Sequence, residues 1–191
     1  GVDGLGDLGK IPDNITIIRL IDDGLTQGMS EYVILNVLRF HRLDLIYREQ
    51  QLQKIWRENS PVTSSEICVG IMGLGVLGLD AARKLSSLDY EVLGWSRTPK
   101  SIGFCSTFYG EAGLQKFLER TNILVCLLPL TAETDGILCK KTFSQLPANS
   151  FLVSAGRGRH LVDADLLDAL ASGQLRFAAV DVFQEEPLPN P

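Results

Sequence analysis

The sequence predicts an α/β fold, a doubly wound parallel sheet with the remnant of a second domain attached. Three observations predict it. After Pro61, short apolar runs alternate with amphipathic helical stretches at regular spacing. The runs are apolar throughout rather than at every second residue. The first of them ends in a glycine-rich turn that opens a helix. Strands that are apolar on both faces need cover on both faces, and right-handed β-α-β crossovers supply it.

Residues 1–25 read as loop, a turn at Pro12-Asp13-Asn14 and a β-rich run over 15–20. So short a segment cannot bury a core alone, so it is expected to be the edge of something larger, the remnant of a second domain. Residues 26–191 are expected to form the sheet domain with an N-terminal connecting helix. That helix is predicted over 29–56: Val33, Val37 and Phe40 share a face, with Ile34 and Leu38 beside them. From 31 to 46 it is apolar on most sides, which implies burial against another domain or subunit as well as its own core. Leu52, Ile55 and Trp56 give a narrower stripe before Asn59-Ser60-Pro61 stops the helix. Strands are predicted at 67–72, 91–95, 123–128, 151–155 and 177–183, and helices at 76–85, 114–120, 141–146 and 162–170.

Composition narrows the function. The 191 residues carry 45% hydrophobic side chains and a formal charge of −5, so a buried core is available and broad attraction to nucleic acid or anionic lipid is not. Any bound anion must be held locally. Cys68, Cys105, Cys126 and Cys139 form no C-x-x-C pair, and Cys68 and Cys126 sit in apolar runs; all four are expected to be reduced, with no metal site. A signal peptide and a membrane helix are not expected, which implies a soluble, cytoplasmic protein.

The central motif is Gly73-Leu74-Gly75-Val76-Leu77-Gly78. A lone G-x-G-x-x-G is a weak signal, but here it follows a β-run and opens a helical one. Gly73 permits the tight turn, Gly75 lets backbone approach a pyrophosphate, and Gly78 lets helix pack on strand. The start of the helix then offers free N–H groups and a positive dipole end, with Val76 and Leu77 at the phosphates. The expected ligand is a dinucleotide, on a Rossmann-type domain. Which dinucleotide is decided at the end of the second strand. Ser96 stands eighteen residues beyond Gly78, where an NAD enzyme has an acidic residue, and is followed by Arg97 and Thr98. A carboxylate would repel a 2′-phosphate, whereas Ser, Arg and Thr offer donors and one positive charge. NADP is the expected cofactor, with NAD the second possibility.

Two later segments fall at strand ends, where open α/β sheets bind ligands. One runs Ser154-Ala155-Gly156-Arg157-Gly158-Arg159-His160; the other is Asp181-Val182-Phe183-Gln184-Glu185-Glu186-Pro187-Leu188-Pro189. Together with the glycine loop and Leu128-Pro129-Leu130-Thr131-Ala132-Glu133-Thr134, they resemble the D-isomer-specific 2-hydroxyacid dehydrogenase family, over nearly the whole chain. Trp95-Ser96-Arg97-Thr98 and the Asp181–Pro189 run look most like its glyoxylate/hydroxypyruvate reductase branch.

The resemblance implies that Arg157 binds a small 2-oxo acid and polarises its carbonyl, while Glu186 pairs with a catalytic histidine. It also implies that Leu128, Pro129, Ala155, Gly156 and Asp181 line the cofactor, that Gly1 and Val2 end a substrate-carboxylate loop, and that the protein is a homodimer. Ser154 and Gly156 depart from the usual Asn and Ala, which is expected to loosen the turn. The family's histidine lies beyond the E-P motif, and neither His41 nor His160 matches it; His160 reads as a local structural residue. The chain therefore reads as truncated at both ends and inactive alone. The competing reading is a cofactor-sensing, corepressor-like binding protein on the same fold.

Overall fold

The computed structural model describes residue 15 and residues 22–60 and 62–188. The turn at Pro12, the run over 15–20 apart from Ile15, Gly1, Val2, Pro61 and Pro189 lie outside the described residues. Among the described residues, fourteen segments in sequence order build the domain. Helices α1 (Asp23–His41) and α2 (Asp44–Leu52) come first. The alternation then follows: β1 (Cys68–Met72), α3 (Val76–Ser86), β2 (Glu91–Ser96), β3 (Ser106–Tyr109), α4 (Gly110–Leu118), β4 (Ile123–Cys126), α5 (Lys140–Phe143), β5 (Ser150–Ser154), α6 (Asp163–Ala171) and β6 (Leu175–Val180). Short 3₁₀ turns occupy Ser64–Glu66 and Gly158–His160.

All six strands are parallel, in the order β3-β2-β1-β4-β5-β6. The chain winds outward from β1 through β2 to β3, then returns to lay β4 on the other side of β1. That reversal leaves a crevice at the carboxyl ends of β1 and β4. Leu93, Leu124, Cys126 and Leu152 face one side of the sheet, with Phe117, Phe143 and Leu161 packed on them. Val69, Ile71, Val125 and Val153 face the other side, covered by α1 and α3. The fully apolar runs in the sequence arise from this double burial.

Helix α1 differs from the helix predicted over 29–56 at both ends. It starts at Asp23, where the Asp22 carboxylate accepts the Gly24 N–H at 2.8 Å and caps the first turn. It stops at His41 because Leu43 adopts a left-handed conformation (φ 57°) that no helix can continue through. The short α2 ends at Leu52, so the stripe of Leu52, Ile55 and Trp56 lies outside the core, and Trp56 is fully exposed. The face foreseen on α1 is the buried one: Val33, Val37 and Phe40 pack on the sheet, each contributing roughly 2 kcal/mol. Phe40 stacks on Phe151 with ring centroids 4.9 Å apart. Leu35 and Leu38 face away and stay exposed.

The α1–sheet packing is pinned at each end by a polar clamp. Ser30, fully buried, donates its hydroxyl to Asp80 of α3 at 2.6 Å, and Lys84 reaches the same carboxylate at 2.7 Å. At the other end the buried His41 bridges Tyr90 Oη (2.6 Å) and the Val62 carbonyl (2.9 Å). The carbonyl can only accept, so Nε2 donates to it, and Nδ1 shares the other hydrogen bond with the Tyr90 hydroxyl.

Strand β3 escapes the pattern of apolar runs because it is a four-residue edge strand that is buried nowhere along its length. Strand β4 ends at Cys126, two residues short of the predicted limit, and β6 ends at Val180 rather than 183. Both differences move site residues off strands and onto loops. The four cysteines are free, as expected, with Cys68 and Cys126 buried in the sheet. No helix among the described residues is long and apolar enough to cross a membrane.

Candidate active site

Every described residue singled out for the site lies at the carboxyl edge of the sheet. The ladder runs slightly past the strand ends there: Gly73 N–H bonds the Trp95 carbonyl (2.9 Å), Leu127 N–H the Met72 carbonyl (2.9 Å), Ala155 N–H the Cys126 carbonyl (3.2 Å) and Asp181 N–H the Ser154 carbonyl (2.9 Å). The site loops therefore leave the sheet already anchored.

The glycine loop has the shape its spacing implies. Gly73 has φ +103°, and a side chain there would meet the Leu127 carbonyl oxygen at 2.7 Å. A Cβ on Gly78 would stand 1.9 Å from the Gly73 carbonyl oxygen, so helix α3 can lie this close to β1 only with glycine there. Gly75, by contrast, is exposed and meets nothing within 4 Å. It is the N-cap of α3 and has no side chain to take up the helix's first N–H groups. With Val76 and Leu77 in its first turn, α3 thus opens into free space with donors unspent, a cradle that fits a pyrophosphate. Among the described residues no cluster suited to a metal ion is found.

At the end of β2, Ser96 is buried and donates its hydroxyl to the Thr98 carbonyl at 2.8 Å, shaping the turn that exposes Arg97 and Thr98. Arg97 faces the loop after β4. The Glu133 carboxyl there is held below its ordinary range first by the Thr131 hydroxyl, then by its own backbone N–H, and also by the Arg97 charge. Thr134, buried, donates to the Pro129 carbonyl at 2.7 Å and accepts the Thr131 N–H at 2.8 Å, so Leu128 and Pro129 sit on a rigid turn. Leu128 is buried and Pro129 exposed.

Beyond β5, Ala155 and Gly156 are buried and Arg157 is exposed. Gly156 does not loosen the turn. A Cβ there would meet His160 Nδ1 at 2.6 Å, because the buried His160 ring fills that space and accepts the Arg157 N–H at 2.9 Å. His160 thus supports the Arg157 turn from within. The following backbone is zipped onto the segment before α5: Gly136 N–H bonds the Arg159 carbonyl (2.8 Å), Leu138 N–H the His160 carbonyl (2.8 Å), and Arg159 pairs with Asp135. The fully buried Ser154 hydroxyl has no hydrogen-bond partner among the described residues.

The segment after β6 packs directly on that turn. A Cβ on Gly158 would be 1.9 Å from the Phe183 carbonyl oxygen, and the Gln184 amide donates to the Leu161 carbonyl at 2.8 Å. Glu186 folds back to accept the Phe183 N–H at 2.8 Å. Asp181 is exposed at the head of the loop, and its charge, after burial, helps to raise the Tyr32 hydroxyl pKa from helix α1. Arg157 and Glu186 are thus carried by two loops in direct contact. Sequence reasoning held Gly158, Thr134 and Gln184 within its motifs without giving any of them a role, and it did not single out Tyr32.

An open parallel sheet with an anion cradle at its switch point has the form of a dinucleotide-binding domain. The chain belongs to the D-isomer specific 2-hydroxyacid dehydrogenase family: residues 33–191 match its NAD binding domain. It is 43% identical over 182 residues to glyoxylate/hydroxypyruvate reductase A of Yersinia enterocolitica, covering 95% of this chain and 58% of the relative. Among solved structures it resembles the NADPH-dependent glyoxylate/hydroxypyruvate reductase of Sinorhizobium meliloti in complex with NADP and sulfate (42% identity, TM-score 0.93, 99% of this chain and 61% of that one). It also resembles a D-isomer specific 2-hydroxyacid dehydrogenase of Xanthobacter autotrophicus in complex with NADPH and MES (39% identity, TM-score 0.94, 99% and 78%). The chain spans a little over half the length of the curated relatives it matches.

Proposed function

We propose that this chain is the cofactor-binding domain of an NADPH-dependent reductase that converts a small 2-oxo acid, glyoxylate or hydroxypyruvate, into the 2-hydroxy acid. The observation that carries the reading is the meeting of the Gly73–Gly78 cradle, the Arg157 turn and the Glu186 loop at one sheet edge. A pure cofactor sensor needs the cradle but neither an arginine nor a glutamate on touching loops beside it, and relatives at about 40% identity are named as reductases.

Gly75, Val76 and Leu77 would hold the pyrophosphate, and Arg97 and Thr98 the 2′-phosphate, with Ser96 shaping their turn. Leu128, Pro129, Ala155 and Gly156 would line the cofactor, and Asp181 its nicotinamide end. When bound, the reduced nicotinamide supplies the hydride. Arg157, exposed on its clamped turn, forks onto the substrate's carboxylate and carbonyl oxygens and draws charge toward the carbonyl oxygen. Gly1 and Val2 would add backbone donors to the same carboxylate. The Glu186 carboxylate has lone pairs to spare beyond its bond to Phe183, so it can also orient a histidine and favour its protonated form. Neither His41 nor His160 is that histidine: one clamps α1 to Tyr90 and the other supports the Arg157 turn. It belongs to a further part of the whole protein, which we read as a cytoplasmic homodimer with the exposed side of α1 (Leu35, Leu38) at the subunit contact.

The test is direct. The complete protein oxidises NADPH when given glyoxylate or hydroxypyruvate, and Arg157→Ala lowers kcat/KM by about 100-fold or more, the loss of a charged contact to the reacting group. Tight NADPH binding with no turnover on any small 2-oxo acid would establish the sensor instead.

A further inference from the structure

We propose that Gln184, a position of the Asp181–Pro189 run to which the sequence reading assigned no role, is a positioning residue for the Arg157–Glu186 pair: it docks the loop that carries the glutamate onto the turn that carries the arginine. The inference rests on the reductase reading and adds to it the part that sets the spacing of its two acting side chains.

Among the described residues after Val180 there is no helix or strand, and Asp181, Gln184, Glu185, Glu186, Pro187 and Leu188 are all exposed. A loop of that kind wanders unless something outside it holds it. Among the described residues, one hydrogen bond ties 182–188 to another segment: Gln184 Nε2 donates to the Leu161 carbonyl at 2.8 Å. The acceptor is well chosen. Leu161 is 2% exposed, its N–H bonds the Gly158 carbonyl (3.0 Å), and the next N–H bonds the Leu138 carbonyl (3.0 Å). Gln184 therefore grips the most firmly held point of the arginine turn.

The neighbouring residue supplies the second contact. Phe183 presents its carbonyl to Gly158 and its N–H to the Glu186 carboxylate. Contacts from two successive residues, one polar and one steric, fix the loop both in distance and in rotation. The route from Arg157 to Glu186 then runs Arg157, Gly158, Phe183, Glu186, with Gln184 closing it. An uncharged amide serves here because it donates without placing a second cation beside Arg157. Displacements of about 1 Å between acting groups can cost up to 100-fold in rate, so a device that fixes this spacing has kinetic consequences.

The experiment compares wild type with Gln184→Met, which keeps the length and loses the donor, in the complete protein. We expect kcat/KM for glyoxylate to fall about fivefold, the scale of one neutral hydrogen bond, while KM for NADPH stays within twofold. The alkaline limb of the pH profile should also move to lower pH, as the Glu186-paired histidine is held less well in its protonated form. Amide exchange should speed up in 157–161 and 182–186 and nowhere else. Unchanged glyoxylate kinetics in Gln184→Met would overturn the proposal, as would losses for glyoxylate and NADPH that move together with a lowered Tm. Should wild type itself fail to turn over, the reductase reading fails separately, and exchange unchanged by Gln184→Met would still refute the docking.

Discussion

Phe183 presents its carbonyl oxygen to Gly158 so closely that a methyl group on Gly158 would stand 1.9 Å from it. The constraint is space rather than backbone conformation, since Gly158 is not among the residues with positive φ. The opposing atom is backbone, so no rotamer change relieves the clash. Two loops from the ends of β5 and β6, separate in sequence, are made into one unit at that point.

Gly158→Ala should therefore force the loops apart. Overpacking of this kind costs roughly 1–3 kcal/mol, read as a lowered midpoint in urea unfolding. Because the glycine cradle lies elsewhere on the sheet edge, the Kd for NADPH should stay within about threefold, a change of less than 1 kcal/mol. A variant as stable as wild type would show that the loops separate freely.

Arg97 is exposed beside the end of β2, and Glu133 lies within reach of its charge. A bound 2′-phosphate would take that charge over. Arg97→Ala should weaken NADPH binding by about tenfold or more, the value of one charge-assisted contact, and NADH binding by less than twofold. Arg97→Asp should be worse still for NADPH. Fluorescence titration of both nucleotides decides it, and equal losses for the two would remove Arg97 from the 2′-phosphate site.

Much of this was legible in the sequence, for physical reasons that differ by element. Strands β1, β4 and β5 are buried on both faces, and such burial leaves unbroken apolar runs. The glycine loop was legible because each glycine answers a separate steric demand, at Gly73 for conformation and at Gly78 for space. Strand β3 was missed because a short, half-exposed edge strand needs no apolar run. The break at Leu43 was missed because a leucine in a left-handed conformation carries no sequence signal. Gly158 and Gln184 were missed for a deeper reason: their partners, Phe183 and Leu161, stand more than twenty residues away in the chain. A pattern of neighbours along the chain does not encode contacts between loops.

The cysteines allow a test of the core. Burial pushes the Cys68 thiol up to about 12, with a smaller push from Glu91, and the Cys126 thiol up to about 11. Both are held as neutral thiols at pH 8, and the thiolate is the reactive form. A disulfide reagent should modify Cys139 first and Cys105, whose pKa burial also raises, more slowly. Cys68 and Cys126 should react only on unfolding. Rapid modification of either in the native chain, followed by mass spectrometry, would contradict the packed sheet described above.

The clamp between α1 and α3 gives the chain a pH dependence with a definite sign. Hydrogen bonds from Lys84 and then Ser30 hold the Asp80 carboxyl below its ordinary range, with the charges of Lys84 and Arg83 adding to the effect. A carboxylate whose folded pKa is lowered stabilises the fold fully above its unfolded pKa, about 3.9. That contribution is lost as pH falls through the lowered value. The side chains of Lys84 and Asp80 are 39% and 27% exposed, so solvent screens the ion pair, and the buried Ser30 hydroxyl is the less screened partner. Asp80→Asn should cost about 1 kcal/mol at pH 7 in urea unfolding. The gap between variant and wild type should narrow steadily below about pH 4, where Asp80 of the unfolded chain takes up a proton that the folded chain still refuses. A gap that stays constant down to pH 2.5 would mean that the Asp80 charge does not hold α1 against α3.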